Sequence, residues 1–207
     1  LAKDIFNNSI KAFIQSIKGM RMYVYASKGI IFREKSRVTI EDIFIPYPKK
    51  KEVIVETIKT VISAGTEIAQ LNNLPNALVN FPHQTGYCGS GIIKENGKLS
   101  NFKKNDRVCG LIGHSKLVNL PCENIFKIPD DISFKDAAYF PLFIIAKRGI
   151  EKIYDIRDKK VVIFGQGQIA QILIQLIKLL NPKKIYSISR SGKNDKIFFN
   201  YGAEECI

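Results

Sequence analysis

The stretch Val161-Val162-Ile163-Phe164-Gly165-Gln166-Gly167-Gln168-Ile169-Ala170 decides the fold of this chain. Its first four residues form a continuous apolar run, as expected of a strand buried on both faces. The next six read G-x-G-x-x-A. An apolar helix is then expected over Ile169–Leu180, closed by Asn181-Pro182. Ile185–Ile188 predicts the following strand. Strand, glycine turn, helix and strand make one βαβ unit, long enough for a right-handed parallel crossover.

In that context each small residue has a chemical task. Gly165 lets the chain turn tightly. Gly167 leaves no side chain in the path of a pyrophosphate. Ala170 lets the helix pack closely on the sheet. A pyrophosphate then meets the unpaired N–H groups that open the helix, at Gln168, Ile169 and Ala170, and the positive end of its dipole. Dinucleotide binding is expected; the bland alternative is a glycine turn with no ligand. Ser189-Arg190-Ser191 ends the second strand, with Ser189 lying 24 residues beyond Gly165. An NAD site usually carries an acidic residue there to accept the ribose hydroxyls. None stands at that point. Ser189 can hydrogen-bond a 2′-phosphate and Arg190 can pair with it, so NADP is expected rather than NAD. Otherwise Arg190 is incidental to an exposed turn.

Upstream, the period changes. From Arg21 to about Leu120 short strands alternate with turns: Met22–Tyr25, Glu52–Ile58, Ser90–Lys94 leading into an Asn96-Gly97 hairpin turn, and Arg107–Ile112. This predicts a small β-barrel-like domain. Ser133 is the expected N-cap of a helical region that Pro141 must bend or interrupt. A second helical segment is expected over Ile150–Tyr154. Leu1–Gly19 has apolar residues at helical spacing and is expected to form a surface helix or the tail of something upstream.

Composition narrows the function. The chain has 207 residues, 45% hydrophobic and 25% charged, which suits a globular protein of one or two domains. Its net charge is +13. The lysines are scattered, however, in short clusters such as Lys49-Lys50-Lys51, Lys103-Lys104 and Lys183-Lys184 at expected turns. No nucleic-acid-binding signature accompanies them, so no nucleic-acid partner is expected. A positive field still favours an anionic dinucleotide. No apolar run approaches the roughly 20 residues of a membrane span. Four cysteines, Cys88, Cys109, Cys122 and Cys206, form no C-x-x-C pair, and with His83 and His114 they offer little to build a metal site from. Reduced thiols and a cytoplasmic location are expected.

These features resemble the medium-chain dehydrogenase/reductase superfamily from about Arg21 to Ile207. The matching segments are Ala64-Gly65-Thr66-Glu67, Pro82–Gly91, Phe102–Val108, Ile128–Ala138, Gly165–Ala170 and Gly202-Ala203-Glu204-Glu205. The resemblance implies an α/β protein: a GroES-like β-rich substrate domain at Arg21–Lys147 and the first half of a Rossmann domain at Arg148–Ile207, after an extension of 20 residues. Zinc-dependent members carry Cys-Gly-Thr-Asp where this chain has Ala64-Gly65-Thr66-Glu67. They carry Gly-His-Glu where it has Gly86-Tyr87-Cys88. The four-cysteine lobe that holds a structural zinc is absent after Val108. Ala and Gly cannot ligate zinc, so no zinc is expected and His83 is expected to be a surface or pocket residue.

The zinc-independent members resemble quinone, enone or enoyl reductases, which move hydride from NADPH to a polarised acceptor. Without a Lewis acid, negative charge on the acceptor needs a hydrogen-bond or proton donor. Tyr87 is the candidate donor, since the resemblance implies a place beside the nicotinamide; Thr66 is a second polar candidate. The alternative for Tyr87 is that it fills the volume of a lost zinc site. Glu67 is expected to hydrogen-bond structurally, and Cys88 to pack. The Asn105-Asp106-Arg107 turn is expected to be structural, with Asn105 tolerating a left-handed backbone. Family members usually continue beyond a second Rossmann strand and the start of a third. A fragment, a completing chain or homo-oligomer, and a degraded copy are the expectations that follow. The competing function is a non-catalytic nucleotide-binding or scaffold module.

Overall fold

The structure, a computed structural model, describes residues 24–153 and 155–207. The expected helix over Leu1–Gly19 lies outside the described residues. The chain divides after Ala138 into two compact units.

The first unit is built on two antiparallel sheets. Strands β1 (Val24–Glu34) and β2 (Arg37–Pro46) form a long hairpin, and β4 (His83–Gln84) adds to β1. The other sheet has the order β7-β3-β5-β6-β8, made of β3 (Glu52–Thr60), β5 (Gly89–Asn96), β6 (Arg107–Gly110), β7 (Leu117–Pro121) and β8 (Ile125–Lys127). Inward residues alternate along these strands, as the pleat requires. Val53, Val55, Ile93, Val108, Val118 and Ile125 meet in one core. A short helix α1 (Ala64–Leu71) follows β3.

Asn96-Gly97 does not make a two-residue hairpin. Strand β5 ends at Asn96 and pairs with β6 only after the connection through residues 97–106. Gly97 is needed for space instead: a Cβ there would stand 1.8 Å from the Lys49 carbonyl oxygen. The following turn is structural, as expected. Asn105 has φ of +71°. The Lys127 ammonium and the Lys103 N–H hold the Asp106 carboxyl below the usual carboxylate range. Arg107 donates to the Pro129, Asp130 and Ile132 carbonyls and lies over the Phe134 ring.

Ser133 caps α2 (Phe134–Ala137) by accepting the Asp136 N–H. Pro141 falls in the first turn of the next helix, α3 (Phe140–Ile150), where a missing N–H costs nothing. The proline therefore opens a helix. The expected helix over Ile150–Tyr154 is not formed at 151–153, because α3 ends at Ile150. The expected domain boundary at Lys147/Arg148 lies inside α3, which begins the second unit.

The second unit holds three parallel strands in the order β11-β10-β9: β9 (Lys160–Phe164), β10 (Lys184–Ile188) and β11 (Glu205–Cys206). Helix α4 (Gln168–Lys178) crosses between β9 and β10, and α5 (Asp195–Tyr201) between β10 and β11. Ile163, Ala170, Ile174, Ile177, Ile185 and Phe198 form its core. One expectation fails. Strand β9 is not buried on both faces: Ile163 is sealed, but Val162 is 46% and Phe164 79% exposed. The strand stands at the sheet edge and the core covers one face only, so alternate residues point out.

Candidate active site and nucleotide turn

The glycine turn forms as the sequence predicts. Gly165 has φ of +89°, a conformation that only glycine adopts without strain, and the chain reverses there from β9 into α4. Gly167 is the N-cap of α4 with φ of −77°. The first helical bond runs from the Gln171 N–H to the Gly167 carbonyl at 3.0 Å. The N–H groups of Gln168, Ile169 and Ala170 precede it and have no helical acceptor. Ala170 is buried against the sheet.

Gly167, unlike Gly165, is not held to glycine by its backbone. Its φ suits any residue, and a Cβ added there would meet nothing within 4 Å. Neither conformation nor packing within the chain calls for glycine at that position. The approach of a diphosphate along the helix axis would call for it. The donors present fit such a group.

Gln166 locks the turn through partners distant in the chain. Its buried amide donates to Ser187 Oγ at 3.2 Å and to Asp195 Oδ1 at 2.5 Å. Its backbone carbonyl accepts from Asn194 Nδ2 at 2.9 Å and Gln171 Nε2 at 3.3 Å. Asp195 is thus an acidic group near the strand end after all, seven residues later than Ile188, but its carboxylate is engaged by the turn. Ser189 follows β10 directly; its N–H donates to the Ile207 carbonyl and its Oγ accepts the Ser191 N–H at 3.3 Å. Arg190 is exposed beside it.

In the first unit the two motif segments meet. Glu67 is buried and serves as their hub. Its Oε1 accepts the Ser63 N–H at 2.8 Å; its Oε2 lies 3.0 Å from His114 Nε2 and 3.5 Å from the Thr85 hydroxyl. Gly86 has φ of +92°, and a Cβ there would stand 2.7 Å from the His114 ring. The motif glycine therefore admits the histidine. Tyr87, half-buried, donates its phenol to Ser63 Oγ at 2.7 Å, and Ser63 in turn faces Thr66 Oγ1 at 3.4 Å. The candidates Tyr87 and Thr66 are thus joined through Ser63. Cys88 packs, fully buried, and burial followed by the nearby Glu67 charge pushes its thiol up to about 12. His83 is half-buried against Phe32, and burial lowers its pKa. Among the described residues, no three His, Cys, Asp or Glu side chains are grouped so as to hold a metal ion.

Ser63 and His114 were not found from sequence, since their partners lie 24 and 47 residues away. The one local signal was a serine just before a helix start.

No protein-family model matches the chain. A mouse protein, synaptic vesicle membrane protein VAT-1 homolog-like, is 28% identical over 123 residues, which are 56% of this chain and 30% of that protein. The quinone oxidoreductase of Coxiella burnetii superposes with a TM-score of 0.78 at 21% identity, covering 88% of this chain and 62% of that one. A Sinorhizobium meliloti 1021 protein, named for a zinc-binding dehydrogenase and solved bound to NADP, gives a TM-score of 0.80 at 16% identity, over 88% and 62%. The chain thus spans less than two thirds of the length of the proteins it resembles. Among the described residues, no helix is long and apolar enough to cross a membrane. Element order, the parallel βαβ unit and these likenesses agree: the chain has the fold of the medium-chain dehydrogenase/reductase superfamily, with a GroES-like β domain followed by the first strands of a Rossmann domain.

Proposed function

We propose that this protein belongs to a zinc-independent, NADP-dependent oxidoreductase that transfers hydride between the nicotinamide and a carbonyl, enone or quinone acceptor. The observation that carries the reading is Gly167, a helix N-cap glycine that its own chain does not require. The diphosphate is held by the Gly165–Ala170 turn through the Gln168, Ile169 and Ala170 N–H groups. Ser189 and Arg190 receive the 2′-phosphate. When bound, the cofactor supplies the hydride. The chain supplies the proton and the donor for developing negative charge on the acceptor oxygen, from Tyr87. Glu67 and His114, locked together in the interior, fix the turn that carries Tyr87.

Zinc is not used in this reading. Ala64 and Tyr87 stand at the two ligand positions of the zinc-dependent relatives, and Glu67 is already engaged by Ser63, Thr85 and His114. The substrate is a small molecule, with neither nucleic acid nor membrane as a partner. Titration of the full-length protein with NADPH and NADH, followed by turnover with 9,10-phenanthrenequinone, tests the proposal. NADPH binding with quinone reduction is the expected result; no binding of either nucleotide overturns it.

A second reading, a nucleotide-binding module without turnover, is favoured by one observation: the Tyr87 proton is donated inward, to Ser63. NADPH binding with no reduction of the quinone or of a simple enone would establish it.

A further inference from the structure

Ser63 holds the N-cap position of α1, yet its side chain makes no capping hydrogen bond. Serine is favoured at this position because its oxygen ordinarily accepts a free N–H of the first helical turn. Here the oxygen accepts the Tyr87 phenol at 2.7 Å instead, and the Ser63 hydroxyl is directed at Thr66 Oγ1, 3.4 Å away. Glu67 takes over part of the helix start by accepting the Ser63 backbone N–H. The hydroxyl that should serve the helix is diverted to the tyrosine.

We infer that Ser63 is a positioning residue for the reaction, the middle oxygen of a three-hydroxyl chain Tyr87–Ser63–Thr66 that orients and reprotonates the Tyr87 phenol. This rests on the proposed role of Tyr87 as proton donor. All three oxygens belong to rotatable hydroxyls, each able to donate once and accept. In the arrangement seen, the donors run from Tyr87 to Ser63 to Thr66. Reversing all three turns the Tyr87 O–H outward while its oxygen still accepts from Ser63. A bound nicotinamide cofactor would supply the hydride, with both electrons, to the acceptor. The Tyr87 O–H bond breaks and its proton goes to the acceptor oxygen. Ser63 passes its proton to Tyr87, Thr66 passes its own to Ser63, and water restores Thr66. The net change is one hydride and one proton added to the acceptor.

The test uses the full-length protein with NADPH and 9,10-phenanthrenequinone, and a readout independent of turnover. That readout is the Tyr87 13Cζ resonance of tyrosine-labelled protein, which reports the partner of the phenol. Tyr87→Phe should lower kcat by about a hundredfold or more, the usual weight of a general acid. Ser63→Ala should lower kcat about tenfold, leave KM for NADPH unchanged and shift the Tyr87 resonance. The double variant should be no slower than Tyr87→Phe, since the two act as one unit. Ser63→Thr should restore both rate and resonance. Should Ser63→Ala not fold, Ser63→Gly removes the hydroxyl while keeping a good N-cap residue. Full turnover by Tyr87→Phe defeats the proton-donor role and the relay with it. Loss in Tyr87→Phe with full turnover in the Ser63 variants defeats the relay alone.

Discussion

The Glu67 carboxylate and the His114 imidazole meet 3.0 Å apart with both side chains sealed from solvent. The contact joins helix α1 to the segment between β6 and β7, across 47 residues of chain. A buried pair gains little over an apolar replacement of both partners, but removing one leaves the other desolvated and unpaired. Glu67→Leu or His114→Leu should each destabilise the protein by about 3–5 kcal/mol in urea unfolding. The double variant should cost less than the sum, because the residues are in contact. Additive costs would show that the two do not interact.

Gly167→Ala separates the fold from the ligand. The added Cβ meets nothing within 4 Å, so unfolding free energy should change by no more than about 1 kcal/mol, the range of N-cap substitutions. NADPH affinity should fall at least about tenfold, or about 1.4 kcal/mol, as the methyl enters the diphosphate path. Unchanged binding measured by calorimetry would mean that the turn holds no diphosphate.

Arg190→Ala should weaken NADPH about tenfold, the lower end for a charge-assisted contact, because the guanidinium is exposed and screened. NADH affinity should stay the same. Equal loss for both cofactors would assign Arg190 to the fold, and tighter NADH binding in the parent would point to Asp195 as the residue that reads the ribose.

Burial raises the Cys88 thiol to about 12 and the Cys109 thiol to about 11, against 9.0 for an exposed thiol. At pH 8 neither should react with an aromatic disulfide reagent in native protein, whereas all four cysteines should react once unfolded. The linkage has a definite sign. Below pH 9 both thiols keep their protons in either state and their contribution is fully present. Between pH 9 and the raised values the unfolded chain releases protons that the folded one retains, so stability falls as pH rises. Urea midpoints that hold constant from pH 8 to 11 would contradict this.

Where a residue's partners are close in the chain, the sequence was readable. Gly165, Gly167 and Ala170 lie within six residues, and their order alone specifies turn, helix start and packing. Ser133 announced its helix because Asp136 is three residues away. The β1–β2 hairpin was missed. Its turn at Lys35-Ser36 has no Asn-Gly signal, and β2 exposes Val38, Ile40 and Phe44, so its apolar alternation does not mark a core face. Helix α1 was missed for a related reason: eight residues offer too short a window for helical periodicity.

By itself, the sequence determined the parallel βαβ unit and the glycine turn that opens its helix, because these depend on local backbone freedom and short-range spacing. Tertiary structure alone decided that β9 has one covered face, that Gln166 ties the glycine turn to Ser187 and Asp195, and that Glu67 finds His114. It also decided that Ser63 gives up its helix cap for Tyr87. The last three are pairings between side chains far apart in the chain. Which polar group satisfies which depends on the desolvation cost of leaving either one alone, and that cost is set only when the sheets and helices close around them.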